Sequence, residues 1–539
     1  MFPDGVSYLD IGDAYWRGDW HNAINAYWSP LYSWVVGGSF KILSPSLANE
    51  FPLVHFVNFL IYLVTLACFS FFLQAFIHYL EERGASADEP SLGPPAWAII
   101  VFGYSAFVVS SLSLITVAFV SGDMAVAAIV YLASALLLKI RGGHAGWATF
   151  AVLGFALGLG YYGKTAMFLM AFPFLVAAAF AQYKAGKSLK LPALSFLVFL
   201  ATASPFIIAL SLAKGRPTFG ESGTINYSVN VNTVQFFIPH EPGAAHPVRK
   251  IPGAIEAYEY AGPVSGTYPL WYDPAYWHEG IHPRFDLKRQ LRTIALTAAE
   301  CAWISFNLFL GLPISVAILF LFLISPAPSR CFATAVRHWI LWLPALAGIA
   351  LYGLVVIEPR YVGGFFCILW IVAFSGVRLP ATSASRRLIA AAVMCAAIAI
   401  CALALRDISR TAHGIGIGEK NVATPEIPKV AATLLGAGLR AGDKIALVSD
   451  WLFPSREGAY ISRLARVRII GEARPDTFWP ADDYTRSQLM AAYANAGAKA
   501  LLTRNPPRAD AGWQRLASSD YYLYLIPAQR NPGSQKDAR

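Results

Sequence analysis

The feature that most constrains this chain is a series of ten apolar segments, each near the length of a bilayer-crossing helix. A hydrocarbon core of about 30 Å needs about 20 apolar residues in a helix. Only 14% of the residues are charged and 56% are hydrophobic, whereas about 25% of a soluble domain is charged. These values exclude an ordinary soluble enzyme, a disordered chain and a fibrous repeat, and they predict an α-helical polytopic membrane protein. The segments are 51–80, 96–120, 122–140, 145–162, 164–182, 191–213, 298–324, 337–357, 361–378 and 386–405.

The rest of the sequence predicts three parts. Residues 1–50 form a first external loop with interfacial helices, 51–405 form the transmembrane domain with a long external loop at 214–297, and 406–539 form a tail. The tail holds 19 Lys/Arg and 13 Asp/Glu in 134 residues, the charge density of a soluble domain. Its patterns alternate, which predicts a small α/β domain: strands at 444–449, 466–471, 498–503 and 521–526, and helices at 425–437, 455–465 and 483–496.

The basic residues of the short loops predict the orientation, because cytoplasmic loops are enriched in Lys and Arg. One alternate set of loops holds 11 of them, namely Arg83, Lys139, Arg141, Lys184, Lys187, Lys190, Arg330, Arg337, Arg378, Arg386 and Arg387. The opposite set holds only Lys164 and Arg360. We therefore expect the residues 1–50, the long loop and the tail on the outer side, in a periplasm. Since no apolar segment leads residues 1–50 across the membrane, we also expect a transmembrane helix to precede them.

Two short motifs match known site patterns in unsuitable surroundings. The segment 158–165 fits both GxGxxG and GxxxxGK[ST], but it lies between two apolar segments, where glycines more often permit close helix packing. The segment 278–282 fits HExxH, but Gly280 and the following Pro283 disfavour the helix that a zinc site needs. No basic run interleaved with aromatics is present, so nucleic acid is not indicated as a partner.

Polar residues at the outer ends of the apolar segments are the candidate site. Uncompensated charge is costly there, so its presence indicates a function. They fall into four groups along the chain. These are Asp4, Asp10 and Asp13 in the first loop, Asp123 in the turn Ser121-Gly122-Asp123, Lys164, and the turn Glu358-Pro359-Arg360-Tyr361.

These groups resemble a known family in type and in order. Asp4-Gly5 with Tyr8-Leu9, and the later 28–32 (Trp-Ser-Pro-Leu-Tyr), resemble the first external loop of the GT-C glycosyltransferases that use polyprenyl-phosphate sugars. That group includes protein O-mannosyltransferases and the lipid A aminoarabinose transferase. The segment 158–165, the Asp123 turn and the Arg360-Tyr361 turn are similar to the family's later motifs. Members often have paired acidic residues where this chain has Asp4-Gly5, which weighs against a metal ion bound through a carboxylate pair; a divalent metal ion stays open as a cofactor.

The resemblance implies a GT-C-like bundle and an inverting sugar transfer from a polyprenyl-phosphate donor to a periplasmic or lipid acceptor. Asp4 would be the general base, with Asp123 as the second catalytic carboxylate, orienting the sugar, the acceptor or Lys164. Lys164, Arg360 and Tyr361 would bind the donor phosphate. Sugar or acceptor contacts are expected from Asp10, Asp13, Trp271, Tyr272 and Glu358.

Structural interpretations and other functions stay open beside this one. Asp4 and Asp123 can cap helices, Lys164 and Arg360 can reach towards the membrane surface, and the loop aromatics can form a membrane belt. A flippase or transporter for a lipid-linked oligosaccharide would use the same cations without a base. A scaffold, in which the tail binds a partner, would leave the outer charges unexplained. We expect a location in a bacterial inner membrane, with membrane lipids as partners.

Overall fold

The computed structural model describes residues 3–84, 91–236, 244–260, 262–307, 311–416, 426–449, 456–506 and 512–527. The chain is mostly helical and forms two compact units, each assembled from separate stretches. The helical unit contains 55–233 and 283–422, and the sheet unit contains 1–54, 234–282 and 423–539.

The helical unit places a helix in each of the ten predicted apolar segments. Its longer helices are Glu50–Gly84 (which starts in the other unit), Ala96–Val108, Asp123–Gly142, Trp147–Gly163, Ala166–Lys184, Lys190–Lys214, Leu287–Phe306, Leu312–Leu323, Pro328–Arg337, Trp339–Gly353, Pro359–Ser375 and Ser383–Gly416. A π-helical stretch, Val109–Ile115, continues the second of them, and a short helix covers Ser222–Asn230. The strands β1 (Ser91–Leu92) and β4 (Leu379–Pro380) pair antiparallel in this unit.

Within the described residues, six helices are long and apolar enough to cross a membrane. They are Glu50–Glu82, Ala96–Ile115, Asp123–Gly142, Ala166–Lys184, Lys190–Lys214 and Ser383–Arg406. A seventh candidate is the pair Pro328–Arg337 and Trp339–Gly353, which bends by 85° at His338. The other three predicted segments contain shorter apolar helices, Trp147–Gly163, Leu312–Leu323 and Pro359–Ser375.

The glycines of the apparent phosphate-binding motif belong to helix packing. The helix Trp147–Gly163 runs through the motif, and a Cβ on Gly158 would lie 2.5 Å from the Cβ of Thr202 in the helix Lys190–Lys214. One turn earlier, a Cβ on Gly154 would lie 2.1 Å from the carbonyl oxygen of Ser195. Only glycine permits this approach of the two helices, as expected for small residues in membrane helices.

The sheet unit combines three stretches of the chain. Its helices are Pro3–Trp16, Trp20–Ala23, Pro30–Leu43, Pro269–Tyr272, Pro274–Trp277, Glu426–Gly436, Arg456–Ala465, Pro475–Phe478 and Asp483–Asn495. Its strands are β2 (Arg249–Lys250), β3 (Ala257–Glu259), β5 (Lys444–Val448), β6 (Arg468–Ala473), β7 (Ala498–Arg504), β8 (Trp513–Arg515) and β9 (Tyr521–Leu525). All four predicted strands and all three predicted helices of the tail are present.

These seven strands form one sheet in the order β2-β3-β6-β5-β7-β9-β8. The central strand β5 pairs parallel with β6 and β7, and the outer pairs are antiparallel. Helices Arg456–Ala465 and Asp483–Asn495 form the two crossovers between parallel strands, as such connections require. The long loop supplies β2 and β3, which extend the sheet along the edge of β6.

The tail therefore shares its core with the long loop. Ile251, Ile255 and Ala257 of the loop are buried with tail residues such as Ile470 and Tyr493. The backbone N–H of Tyr260 also donates to the carbonyl of Ile470, 2.9 Å away. The sequence predicted a separate domain at 406–539. In the structure, residues 423–539 form one compact unit together with 1–54 and 234–282.

We expect residues 420–530 expressed alone to show no cooperative thermal transition. Without the loop, the β6 edge is unpaired and three apolar core residues are missing, which favours aggregation. Joining residues 244–282 to the fragment through a flexible linker should restore a cooperative transition, measured by circular dichroism. An isolated tail that melts as sharply as the joined form would contradict this dependence.

Candidate functional site

Three helix ends of the helical unit bring together the residues that we name the cationic cluster: Asp123, Lys164, Glu358, Arg360 and Tyr361. Asp123 begins the helix Asp123–Gly142, and Lys164 directly follows the helix Trp147–Gly163. Arg360 and Tyr361 lie in the first turn of Pro359–Ser375, whose proline suits a helix start. Residues up to 238 positions apart in sequence (123 to 361) thus meet at the ends of apolar helices.

Asp123 is the buried centre of the cluster. Its Oδ1 lies 2.5 Å from the Lys164 ammonium, and its Oδ2 accepts a hydrogen bond of 2.9 Å from the Ser121 hydroxyl. The Arg360 Nε lies 3.8 Å from the same Oδ2. The carboxylate therefore fixes both cations, and no side-chain cap on its own helix is formed.

Aromatic rings complete the surroundings of the two cations. The Lys164 ammonium lies 3.3 Å from the centroid of the Tyr361 ring, and the Arg360 guanidinium carbon lies 5.1 Å from it. Tyr352 stacks on Tyr361 with centroids 5.1 Å apart. Cation–π contacts of this kind attract the charge to the face of the ring and so help to hold it in place.

The charges of the cluster balance, and its most exposed member is an anion. Glu358 accepts a hydrogen bond of 2.7 Å from the Arg360 Nε, and its side chain is 45% exposed. The side chain of Asp123 is only 6% exposed, whereas Lys164 is 24% and Arg360 16% exposed. A phosphate could thus replace Glu358 beside Arg360 at low cost, but replacing Asp123 would leave a buried carboxylate unpaired.

Asp4 lies in the sheet unit, and it is hydrogen-bonded to Trp271 of the long loop. The helix that carries it, Pro3–Trp16, begins at Pro3, so Asp4 lies in its first turn and does not precede a helix starting near Val6. Its Oδ1 accepts a hydrogen bond of 2.9 Å from the indole N–H of Trp271. The Trp271 carbonyl in turn accepts hydrogen bonds from Ser7 and Trp28, at 2.9 and 3.0 Å.

Asp10 and Asp13 belong to a buried network, which we name the arginine network: Asp10, Asp13, Glu50, Arg463 and Arg466. The Arg463 side chain, only 1% exposed, lies 2.7 Å from Asp10, 2.5 Å from Asp13 and 2.9 Å from Glu50. Arg466 also pairs with Asp13 and Glu50. Burial raises the pKa of Asp13, but the charges of Arg463 and Arg466 outweigh it and hold this pKa below its ordinary value.

The arginine network fixes the helix that carries Asp4 to the tail. Asp10 Oδ2 also accepts two hydrogen bonds of 2.7 Å from the N–H and the hydroxyl of Thr267 in the long loop. Sequence reasoning predicted sugar contacts for Asp10 and Asp13 and missed Arg463. The available signal was an arginine on the apolar face of Arg456–Ala465, beside the buried Ile461 and Leu464.

The aromatic residues of the long loop differ in exposure. Trp271 is half-buried and packs edge-on against Phe236, with centroids 4.9 Å apart. Tyr272 is only 3% exposed, its hydroxyl donates to the Asn22 carbonyl at 2.6 Å, and burial raises its pKa. Trp277 is buried as well. Trp271 is therefore partly exposed, whereas the buried ring of Tyr272 supports the fold.

The HExxH segment forms no metal site in the described residues. The helix Pro274–Trp277 ends before His278, which is 5% exposed and bonded to the Pro274 carbonyl, whereas His282 is exposed. In the described parts of the chain, one group of three candidate metal ligands occurs, and it lies elsewhere: His78, Glu82 and His144.

The fold and the cluster define a helical protein with several candidate membrane spans, a sheet unit and paired cations at the helix ends. No family model and no curated protein matches the sequence. Solved structures show a distant likeness. ArnT from Cupriavidus metallidurans in the apo state is 12% identical, covering 97% of this chain and 93% of that one, with a TM-score of 0.39. Its form bound to undecaprenyl phosphate is 11% identical, covering 98% and 95%, with a TM-score of 0.40.

The Archaeoglobus fulgidus oligosaccharyltransferase in complex with Zn and sulfate is also similar. It is 12% identical, with a TM-score of 0.47, and the match covers 93% of this chain but 64% of that one. This chain thus spans slightly less than two thirds of the oligosaccharyltransferase.

Proposed function

We propose that this protein is a membrane glycosyltransferase that moves a sugar from a polyprenyl-phosphate donor to an acceptor on the outer side of a bacterial inner membrane. The observation that carries the proposal is the cationic cluster. Two partly exposed cations share one buried carboxylate at the ends of apolar helices. A lipid phosphate has its charged group at the membrane surface, which is where such helix ends lie.

The cations would bind and stabilise the departing phosphate. Arg360 offers a planar fork of N–H donors and Lys164 a point charge, and both gain strength as negative charge develops on the leaving oxygen. Asp123 would hold the Lys164 ammonium in position, as the 2.5 Å contact supports. Tyr361 would restrain both cations through its ring.

Asp4 would act as the general base. Its place at a helix start, and the indole N–H of Trp271 that fixes one carboxylate oxygen, support a defined orientation. The base would remove the proton of an acceptor hydroxyl or amine as the acceptor attacks the sugar C1. The C1–O bond to the phosphate would then break with inversion, and polyprenyl phosphate would leave with the bonding electrons.

The tail would position this base. The arginine network links the helix Pro3–Trp16 to the helix Arg456–Ala465, which follows strand β5 and precedes strand β6 along the chain. Asp10 and Asp13 would therefore act through Asp4 without touching the sugar. A rigid unit beneath a catalytic group reduces the cost of orienting it.

The transfer reaction can be tested in liposomes that contain the full-length protein, a mixture of lipids and glycans carrying acceptor hydroxyls and amines, and a polyprenyl-phosphate donor radiolabelled in its sugar. A transferase releases the label from the lipid and leaves free polyprenyl phosphate. A flippase leaves the label on the lipid and moves it to the opposite leaflet, and that result would refute the proposal. Empty liposomes serve as the control.

A pair of substitutions in the cationic cluster should change donor binding in opposite directions. Glu358→Gln removes the competing anion and should tighten binding by about 1.4-fold to fivefold, since a half-exposed ion pair is worth roughly 0.2–1 kcal/mol. Arg360→Ala should weaken binding by about tenfold or more, because a charged hydrogen bond is worth about 1.5–3 kcal/mol. The measurement is the Kd for polyprenyl phosphate, with the exposed Glu81→Gln as the charge control. Equal effects of Glu358→Gln and Glu81→Gln would contradict a competing role for Glu358.

A further inference from the structure

A second cluster of polar side chains lies in the helical unit, and it contains two histidines and one carboxylate: His78, Glu82 and His144. The Nε2 atoms of His78 and His144 lie 3.2 and 2.8 Å from the same oxygen of Glu82, Oε1. The three ligand atoms all lie within 4.8 Å of one another. Imidazole nitrogen and carboxylate oxygen are both ordinary zinc ligands.

Local structure dictates this convergence. His78 and Glu82 are four residues apart on the helix Glu50–Gly84, so they project from the same face one turn apart. His144 comes from the end of the helix Asp123–Gly142. A turn held by backbone hydrogen bonds places its ring beside His78 and Glu82.

That turn is a Schellman motif. Gly143 has a φ of +86°, its N–H donates to the carbonyl of Ile140, and the N–H of His144 donates to the carbonyl of Lys139, both at 3.2 Å. Lys187 donates to the Gly143 carbonyl at 3.3 Å and restrains the turn further. A Cβ on Gly142 would lie 3.2 Å from the His144 ring and 3.5 Å from Glu82, so glycine gives these side chains room.

We propose that His78, Glu82 and His144 bind a divalent transition-metal ion, and that zinc fits them best. A tetrahedral zinc ion with bonds of about 2.0–2.2 Å separates its ligands by about 3.3–3.6 Å; the His78–Glu82 distance of 3.2 Å is close to this, and the His144 ring at 2.8 Å needs to move outwards by about half an ångström. The histidines are 67% and 62% exposed, so their rings can adjust and a water molecule can take the fourth position. The ion crosslinks two candidate membrane spans, at the ends that the basic loops assign to the cytoplasm.

The test is zinc binding to the full-length protein in detergent after treatment with a chelator. Titration with zinc chloride against a chromophoric competitor gives the number of sites and the affinity. The wild type should bind one more equivalent than His78→Ala or His144→Ala, and Glu82→Gln should bind that equivalent at least about tenfold more weakly. His21→Ala removes an exposed histidine of the sheet unit and should bind like the wild type.

Thermal stability gives an independent reading. Zinc should raise the Tm of the wild type and of His21→Ala, because an ion that binds only the folded state stabilises it. It should leave the Tm of His78→Ala unchanged. Equal zinc stoichiometry in the wild type, His78→Ala and His144→Ala would overturn the proposal, as would a wild-type Tm that depends on pH but not on zinc. Neither outcome bears on sugar transfer.

Discussion

Replacing Asp4 with Asn should lower sugar transfer by about 10²–10⁴-fold, the usual effect of losing a general base. The change preserves the size of the side chain and its ability to accept the Trp271 indole N–H. Donor binding should change little, because the proposed phosphate contacts come from Lys164 and Arg360. The measurement is release of radiolabelled sugar at saturating donor, alongside the Kd for polyprenyl phosphate.

Two further variants separate a chemical role of Asp4 from a structural one. Asp19→Asn removes the same charge elsewhere in the sheet unit and keeps the acceptor oxygen that caps Trp20–Ala23, so transfer should stay at the wild-type rate. Trp271→Phe keeps a ring and the carbonyl that Ser7 and Trp28 contact, but it loses the N–H to Asp4. Its kcat should fall about tenfold, which is ~1.4 kcal/mol. Wild-type transfer by Asp4→Asn would exclude Asp4 as the base.

Replacing Arg463 with Met should destabilise the sheet unit by about 3–5 kcal/mol, because breaking a buried ion pair leaves unpaired charge in the interior. Met has a similar length, so most of the effect comes from the carboxylates of Asp10, Asp13 and Glu50. Arg466 is 40% exposed and contacts two of them, so it compensates only in part. The measurement is the Tm of the full-length protein in detergent, followed by circular dichroism.

The Arg463 variant also tests whether the tail positions Asp4. The transfer rate of Arg463→Met should be reduced even at temperatures where the variant is still folded, while its Kd for the lipid phosphate stays unchanged. Arg463→Lys retains the charge but loses the planar fork and should give an intermediate Tm. Arg440→Met, at an exposed tail position, is the control and should match the wild type. A wild-type Tm and rate for Arg463→Met would show that the network does not hold the helix.

The stability that the Asp13 ion pairs contribute should not depend on pH above the ordinary pKa range of a carboxyl group. The folded-state pKa of Asp13 is depressed, so its ion pairs contribute their full stability above the unfolded value of about 3.9. That contribution is lost as the pH falls through the lower, folded-state pKa.

Regular patterns of the sequence predicted most of the fold. Four of the five described strands of the tail were predicted, because β-branched and apolar runs such as Lys444–Val448 are continuous and bounded by turns; β8, with three residues, was not. Strands β2 and β3 were not predicted, since each has two or three residues in a loop rich in Pro and Gly, and β3 pairs with β6, which lies about 200 residues later. Short strands depend on tertiary pairing, which leaves no local period to detect.

The candidate site shows the same division. The sequence indicated Asp123, Lys164 and Arg360 through their shared position at helix ends, and the structure brings them together. It did not indicate that Asp10 and Asp13 pair with Arg463, because that partner is 453 and 450 residues away. Nor did it distinguish Trp271 from Tyr272, since adjacent aromatics differ in exposure only once the loop has packed.

Photocrosslinking can show whether the lipid phosphate binds at the cationic cluster. A polyprenyl phosphate with a photoreactive group next to its phosphate is added to liposomes containing the full-length protein, and crosslinked peptides are identified by mass spectrometry. We predict crosslinks in peptides that contain Lys164 or Arg360-Tyr361, reduced by Arg360→Ala and retained in Asp4→Asn. Crosslinks confined to other peptides, with the same yield in Arg360→Ala, would contradict the account.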